Sequence, residues 1–322
     1  MADMRYRQLG DSGLTVSVVG LGCNNLGRAG RRTADLDGSR AVVDAAIDTG
    51  ITLFDVADVY GGGSSEDLLG QCLQGRREDV VLATKFGMDM HGVNGSDHGA
   101  RGSRRYLRRA VESSLRRLRT DYIDLYQYHR PDGVTPIEET IAALAELVIE
   151  GKVRYVGSSN FAGWQVVEAE FLAREANQAR FISAQNNYNL LEREIEAELS
   201  PACEAYGVGI LPFFPLANGL LAGKFSRDEK PAQGTRIGDA KPDLHGGANW
   251  PAIEGLRSYA AERGVEMIDV AIGGLAAQPA VASVIAGATS PDQVRRNAAT
   301  ATWEPTQDDL AALDDIVPPP GG

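Results

Sequence analysis

Four polar side chains could run a proton transfer if the fold brings them together: Asp55, Tyr60, Lys85 and His129. Each stands at or just past the C-terminal end of an apolar run, Thr52–Phe54, Val80–Thr84 or Ile123–Tyr128. A phenol with its ordinary pKa near ~10 is a poor acid at neutral pH, and an ammonium beside it stabilises the phenolate and lowers that value. Lys85 is the first lysine of the chain and ends an otherwise apolar run, so it needs a charge partner, and Asp55 can supply one. The expected relay has Asp55 orienting Lys85, Lys85 tuning Tyr60, and Tyr60 exchanging a proton with a substrate oxygen. His129 would donate a second hydrogen bond and orient a carbonyl. The competing explanation is an Asp55–Lys85 pair buried without function, and the poor return of buried ion pairs on stability weighs against it. For His129 taken alone, a structural role is an equal alternative.

Such residues must be delivered by strands that end on one side of one sheet. Arg5–Leu9 and Thr15–Val18, joined by Gly10-Asp11-Ser12-Gly13, read as a hairpin. From there strands and helices alternate. Strands are expected at Val18–Gly22, Thr52–Asp55, Val80–Lys85, Ile123–His129, Arg154–Gly157, Phe181–Gln185, Val208–Phe213 and Ala282–Ile285. Helices are expected between them, among them Ser39–Asp48, Ser65–Leu73, Trp164–Arg174, Glu194–Ala205, Pro251–Arg263 and Glu266–Ala277, with Thr306–Ile316 as a terminal helix. Thr135-Pro136-Ile137-Glu138 and Ser290-Pro291-Asp292-Gln293 read as capping boxes with proline at the first helical position. Eight strands each followed by a helix imply a parallel sheet, and in a chain of this length a closed (β/α)₈ TIM barrel of the α/β class, with the N-terminal hairpin and a C-terminal helix added. Catalytic groups of that fold sit at the C-terminal strand ends. No low-complexity linker divides the chain, so residues 1–322 are expected to form one domain. Residues 226–250 read as an inserted loop over the barrel mouth and 318–322 as a loose tail.

The 322 residues are 43% hydrophobic and 24% charged, an ordinary globular composition, and the net charge of -12 argues against a nucleic-acid backbone as partner. The basic run Arg101 to Arg119 is interleaved with Leu107, Val111, Leu115 and Leu118, the spacing of an amphipathic helix with a solvated basic face. Cys23, Cys72 and Cys203 are far apart and form no CxxC, which suits a reducing cytoplasm. The first ten residues are polar, and no run approaches the ~20 apolar residues of a membrane span, so a cytoplasmic protein with no membrane partner is expected.

The same residues carry a resemblance. Gly50-Ile-Thr-Leu-Phe-Asp55-Val-Ala-Asp-Val-Tyr60-Gly61, Leu82-Ala-Thr-Lys85, Asp124-Leu-Tyr-Gln-Tyr-His129, Gly157-Ser-Ser-Asn-Phe161 and Phe214-Pro-Leu-Ala-Asn-Gly-Leu-Leu-Ala-Gly-Lys224 resemble, in order, the signatures of the aldo-keto reductase superfamily. The resemblance runs from about Arg5 to Asn297. It implies a barrel that binds a nicotinamide dinucleotide without a Rossmann domain, plugs its bottom with the hairpin, and transfers hydride to an aldehyde or ketone. Tyr60 would be the general acid, with Asp55, Lys85 and His129 as above. Ser159, Asn160 and Gln185 would bind the carboxamide, and Phe213 would stack on the nicotinamide. Pro215, Leu216, Gly219, Leu221, Gly223 and Lys224 match the loop over the pyrophosphate. Gly287, Thr289, Gln293 and Asn297 fall in the adenosine segment, where many relatives carry Lys or Arg for the 2′-phosphate of NADP. Lys224 and Arg236 could supply that charge, and the helix starting at Pro291 would offer free amides. NADP(H) is therefore expected, with NAD(H) left open.

Other chemistries fit worse. Gly20-Leu-Gly22-Cys-Asn-Asn-Leu-Gly27 has the wrong spacing for a Rossmann fingerprint, and Gly219-Leu-Leu-Ala-Gly223-Lys224-Phe225 is one residue short of a P-loop. His91, His98, His129 and His245 form no HxH pair, which leaves no metal site to expect. Members of the same superfamily also serve as cofactor-sensing channel subunits; no exposed apolar docking stripe is evident, which favours an enzyme. The substrate is expected to meet the loops 88–101 and 226–250, with Trp250, His91 and Asn25 as candidate pocket walls that favour moderately apolar carbonyls.

Overall fold

The computed structural model describes residues 4–233 and 235–321, apart from the side chains of Arg236 and Ala240. Its centre is a sheet of eight parallel strands: β3 (Val19–Gly22), β4 (Leu53–Asp55), β5 (Val81–Phe86), β6 (Ile123–Tyr128), β7 (Val153–Ser159), β8 (Phe181–Gln185), β9 (Gly209–Ile210) and β10 (Val284–Gly287). β3 to β9 pair in sequence order and β10 pairs with β3. Bridges between Ile210 and Val281 and between Phe213 and Ile285 join β9 to β10, so the sheet closes into a (β/α)₈ barrel. The antiparallel hairpin of β1 (Tyr6–Gln8) and β2 (Thr15–Ser17) stands apart. Leu9 and Val16 from it pack with Leu53, Ala83, Leu125, Leu211, Ala282 and Ile285, an apolar plug inside the barrel.

A second, larger core lies between the outer strand faces and the helices α1 (Leu36–Asp48), α2 (Ser64–Cys72), α3 (Arg104–Leu118), α4 (Ile137–Ile149), α5 (Gly163–Glu175) and α6 (Leu199–Tyr206). The chain continues through the short α7 (Arg236–Ala240) and α8 (Pro242–Gly246) to α9 (Trp250–Arg263), α10 (Met267–Ala276), α11 (Pro291–Ala299) and α12 (Gln307–Ile316). The basic run folds as α3. Its apolar face buries Leu107, Val111, Leu115 and Leu118, and its arginines pair with carboxylates of the adjoining helices, Arg104 and Arg108 with Glu146 and Arg117 with Glu66. Among the described residues no helix is long and apolar enough to cross a membrane.

Four local expectations are corrected. Residues 194–205 do not form one helix: a 3-10 turn at Glu194–Ala197 precedes α6, and the break falls at Glu198, whose carboxylate accepts from Trp164 N at 2.9 Å to cap α5 instead. The strand expected over Val208–Phe213 is regular only at Gly209–Ile210, because Pro212 has no N–H to give a ladder. Thr135 does not cap α4; its hydroxyl donates to Asp132 Oδ2 at 2.7 Å, and the cap position passes to Pro136 without a side-chain bond. Ser290 does cap α11, but Gln293 Oε1 reaches one residue further out and accepts from Thr289 N at 2.8 Å.

Candidate active site

Alternation along the strands decides which side chains face the barrel interior. Leu53, Ala83 and Leu125 belong to the apolar plug, and the next inward positions on the same strands are Asp55, Lys85 and Gln127. With Gln185 of β8 they make a buried polar layer over an apolar one. Lys85 is fully buried, and its Nζ donates to Asp55 Oδ2 at 2.7 Å, to Val56 O at 3.0 Å and to Tyr60 Oη at 3.4 Å. Asp55 Oδ1 accepts from Gln185 Nε2 at 2.8 Å and from Gln127 Nε2 at 3.4 Å. Gly157, in register with both Gln127 and Ser183, leaves room for this layer: a Cβ there would stand 2.1 Å from Ser183 Oγ.

Tyr60 reaches the layer because the chain leaves β4 along β5. Val56 N donates to Ala83 O at 2.9 Å and Asp58 N to Lys85 O at 3.3 Å. Just past Tyr60 the backbone reverses through Gly61, Gly62 and Gly63, with φ of 60°, 62° and 101°, a run of left-handed residues that only glycine adopts without strain. His129 follows β6 and is fixed at both backbone ends, its N donating to Phe86 O at 2.8 Å and its O accepting from Asn160 Nδ2 at 3.0 Å. The Tyr60 and His129 rings meet edge to face with centroids 6.1 Å apart.

The electrostatics correct one expectation. Burial pushes the Tyr60 phenol up, Lys85 pulls it down, and the balance leaves it above its ordinary value. The half-buried phenol is thus a protonated donor at neutral pH, and the ammonium at 3.4 Å is placed to stabilise the phenolate as the proton departs. Burial alone would lower the Lys85 ammonium, but Asp55 and then Tyr60 reverse that and raise it. Burial, then Lys85 and Arg130, push His129 down to about 3, so its imidazole is neutral and can donate one N–H.

Tyr60 and His129 line a cavity of about 840 Å³ that also takes in Asp55, Asn160, Gln185, Phe213, Pro215 and Leu216. It continues past Gly219 and Lys224 to Gly287, Thr289, Gln293 and Asn297. Besides the buried Lys85, three expected residues stand off its wall: Ser159 accepts Asn160 Nδ2 at 3.0 Å, Leu221 is fully buried in the outer core, and Gly223 lies beside Met267. The side chain of Arg236 lies outside the described residues. Of the suggested pocket walls only Asn25 lines the cavity; Trp250 is buried and donates to His245 O, and His91 is exposed. From residues 226–250 only Thr235 contributes among the described residues, and from 88–101 none.

Several lining residues went unread in the sequence. Gln127, in the buried layer and not on the cavity wall, was legible, since it sits one alternation before His129 on a strand already assigned. Arg28, Arg31 and Arg130 were not, because they sit in irregular segments without a period. Arg295 and Arg296 divide: Arg296 lines the cavity, while Arg295 is exposed and pairs with Asp292. The start of α11 offers fewer free amides than expected. Pro291 has none, Gln293 N is taken by Ser290 Oγ, and Thr289 N by Gln293 Oε1.

The donor set suits a particular shape of ligand. Asn160 and Gln185 spend their amide N–H groups on His129 O, Ser159 Oγ and Asp55, leaving acceptor oxygens on the cavity wall that match a carboxamide N–H. Phe213 adds an aromatic face, and the far end is cationic: burial lowers the Lys224 ammonium, and Arg296 and Arg31 lower it further. An amide-bearing ring at one end and phosphate at the other would satisfy both ends, so these residues fit a nicotinamide dinucleotide.

The model of the Aldo/keto reductase family matches residues 18–318. The chain is 37% identical to the uncharacterized oxidoreductase YrpG of Bacillus subtilis, covering 99% of this chain and 98% of that one. It is 35% identical to L-glyceraldehyde 3-phosphate reductase of Escherichia coli, with 91% and 86% covered. To a probable voltage-gated potassium channel subunit beta of Oryza sativa it is 34% identical, with 91% and 90% covered. A family match over nearly the whole barrel, with the polar layer at the C-terminal strand ends, makes the chain a member of the aldo/keto reductase family.

Proposed function

We propose that the chain is a cytoplasmic, NADP(H)-dependent reductase of aldehydes or ketones, with Tyr60 as general acid. The observation that carries this reading is the continuous bonding of Asp55 Oδ2, Lys85 Nζ and Tyr60 Oη, at 2.7 and 3.4 Å, on the wall of a cavity with a cationic far end. When bound, the nicotinamide supplies a hydride. Asn160 and Gln185 would hold its carboxamide, Phe213 its ring face, and Lys224, Arg31 and Arg296 its phosphates. The neutral His129 N–H orients the substrate carbonyl, and Tyr60 Oη gives the oxygen its proton while Lys85 steadies the phenolate left behind. Asp55 keeps Lys85 charged and in place. NADP(H) is preferred over NAD(H) because like charges crowd Lys224, a conflict that a phosphate dianion relieves. The free, buried Cys23, Cys72 and Cys203 suit a reducing compartment.

A second reading, a cofactor-sensing subunit, is favoured by the potassium channel relative and by Trp164 and Phe171, exposed at 58% and 55% on α5. One assay decides: cofactor absorbance is followed with NADPH or NADH against a panel of aldehydes and ketones. Steady turnover supports the enzyme, and a burst of one equivalent supports the sensor. Tyr60→Phe is expected to lose at least ~100-fold in turnover with cofactor binding retained. Lys224→Ala is expected to weaken NADPH by about 10-fold and NADH far less, the scale of one charge-assisted hydrogen bond.

A further inference from the structure

We propose that the carbonyl substrate carries an acidic group, a carboxylate or a phosphate ester, held at the reaction end of the cavity by Arg130 and Arg28. This rests on the reductase reading above and names its substrate class.

Charge balance is the first argument. The chain carries 44 acidic against 32 basic residues, yet among the described residues five cations line the cavity, Arg28, Arg31, Arg130, Lys224 and Arg296, against one carboxylate, Asp55. That carboxylate is already spent on Lys85. Position is the second. Arg31, Lys224 and Arg296 gather at the far end, where the last two act on each other, and Arg31 also pairs with Asp239 at 3.2 Å. Arg130 stands elsewhere, and Arg28 opens the turn that ends at Arg31, whose N donates to Arg28 O at 3.2 Å. Arg130 directly follows His129 and is close enough to depress its imidazole. Arg28 follows Gly27, which packs on Ser64 at the end of the glycine turn after Tyr60; a Cβ on Gly27 would lie 2.8 Å from Ser64 Oγ. Arg130 therefore approaches the carbonyl position from the His129 side, and Arg28 lines the same cavity from the loop segment that packs on the Tyr60 turn. Partnership is the third. Neither arginine has an ion pair or side-chain hydrogen bond among the described residues, whereas the arginines of α3 named above are each held by a carboxylate. A guanidinium kept unpaired on a cavity wall has its fork-shaped donors free for a planar or tetrahedral oxyanion. A neutral carbonyl would leave the half-buried Arg28 and the exposed Arg130 with water as their partner.

The test compares matched substrates: 4-oxobutanoate against its methyl ester, and glycolaldehyde phosphate against glycolaldehyde. Wild type is expected to favour the charged member of at least one pair by about 10- to 100-fold in kcat/KM, one charge-assisted hydrogen bond at tenfold per 1.4 kcal/mol. Which pair shows it separates carboxylate from phosphate. In Arg28→Met/Arg130→Met the ratio should fall to about one, by loss on the charged substrate, while Arg295→Met, which removes an exposed cation off the cavity wall, should keep the ratio. Preference for the neutral member in both pairs, or a ratio unchanged in the double variant, overturns the proposal. If no aldehyde is turned over, the reductase reading falls, and calorimetric titration with 4-hydroxybutanoate decides the anion site by itself. Binding heat present in wild type and lost in the double variant keeps the site; no heat, or equal heat in both, removes it.

Discussion

Removing Lys85 should damage stability and turnover together, and a second substitution should separate the two. Lys85 and Asp55 are both buried, so Lys85→Met leaves the Asp55 carboxylate with only the amides of Gln185 and Gln127, at 2.8 and 3.4 Å. Breaking a buried pair on one side costs about 3–5 kcal/mol. The catalytic loss follows from a different distance. At the 3.4 Å between Nζ and Tyr60 Oη, with an effective dielectric constant near 20, a full phenolate charge gains about 5 kcal/mol from the ammonium. A transition state carrying half that charge loses about 2.5 kcal/mol, on the order of 100-fold in rate. In Asp55→Asn/Lys85→Met both charges are gone, and the amide oxygen can still accept from Gln185. Neutralising a buried pair on both sides is close to neutral, so the double variant should recover to within about 2 kcal/mol of wild type. Its turnover should stay down by the same order as the single variant. Urea unfolding and steady-state reduction of one aldehyde by both proteins give the two readouts. If the double variant regained turnover with its stability, the ammonium would be a packing element and the tuning of Tyr60 would be wrong. Turnover by Lys85→Met within about threefold of wild type would be equally damaging.

Two further outcomes are expected. Arg117→Met should cost about 3–5 kcal/mol, read as a urea midpoint shift with unchanged slope, because it strands the fully buried Glu66 with Thr84 Oγ1 alone, whereas Arg119→Met, whose partner Asp67 is exposed, should cost no more than about 1 kcal/mol. His129 is pushed down to about 3 in the fold from an unfolded value near 6.5, so between those values the unfolded chain binds the extra proton and stability falls as pH drops through that window; thermal melts of His129→Gln should fall less steeply there, and identical slopes would contradict the assignment.

How far the sequence carried the site can be judged residue by residue. Asp55, Lys85 and His129 were legible because a polar residue ending an apolar strand has few explanations, and strand order in a parallel barrel then fixes which ends are neighbours. The polar layer beneath them was half legible. Gln127 follows from alternation on β6, but its meeting with Asp55 depends on Gly157 being bare, a fact of register across β6, β7 and β8. The net effect on Tyr60 was not legible. Sequence supplies the sign of the Lys85 effect, whereas desolvation depends on how the turn at Gly61–Gly63 seats the ring. Helix ends failed where a capping residue had a better partner across space, as Glu198 has in Trp164 N and Thr135 in Asp132. Segments without period, which hold Arg28, Arg31 and Arg130, gave no signal for a charge that only the cavity reveals.

The turn from β4 to Tyr60 carries two aspartates, Asp55 and Asp58, and only burial with its compensation tells them apart. Both are buried, and both adjoin Lys85, Asp55 through its side chain and Asp58 through a backbone bond to Lys85 O. Asp55 has the ammonium at 2.7 Å. Asp58 points to the other side of the turn, where Oδ2 accepts from Asn94 Nδ2 at 3.0 Å and Oδ1 has no partner among the described residues. Burial first, then the nearby Glu66, push it up to about 8, so it is mostly protonated at neutral pH. The turn therefore holds one charged and one neutral carboxyl, a separation set by environment and not by residue type. The difference matters for Lys85. Asp55 alone faces the ammonium, and Asp58, turned away toward Asn94, leaves the Lys85–Tyr60 bond undisturbed. Asn94, from the segment between β5 and α3, is tied to the Tyr60 turn by the bond its Nδ2 donates to Asp58, and that bond strengthens when the carboxyl ionises above about 8, because a carboxylate is the better acceptor.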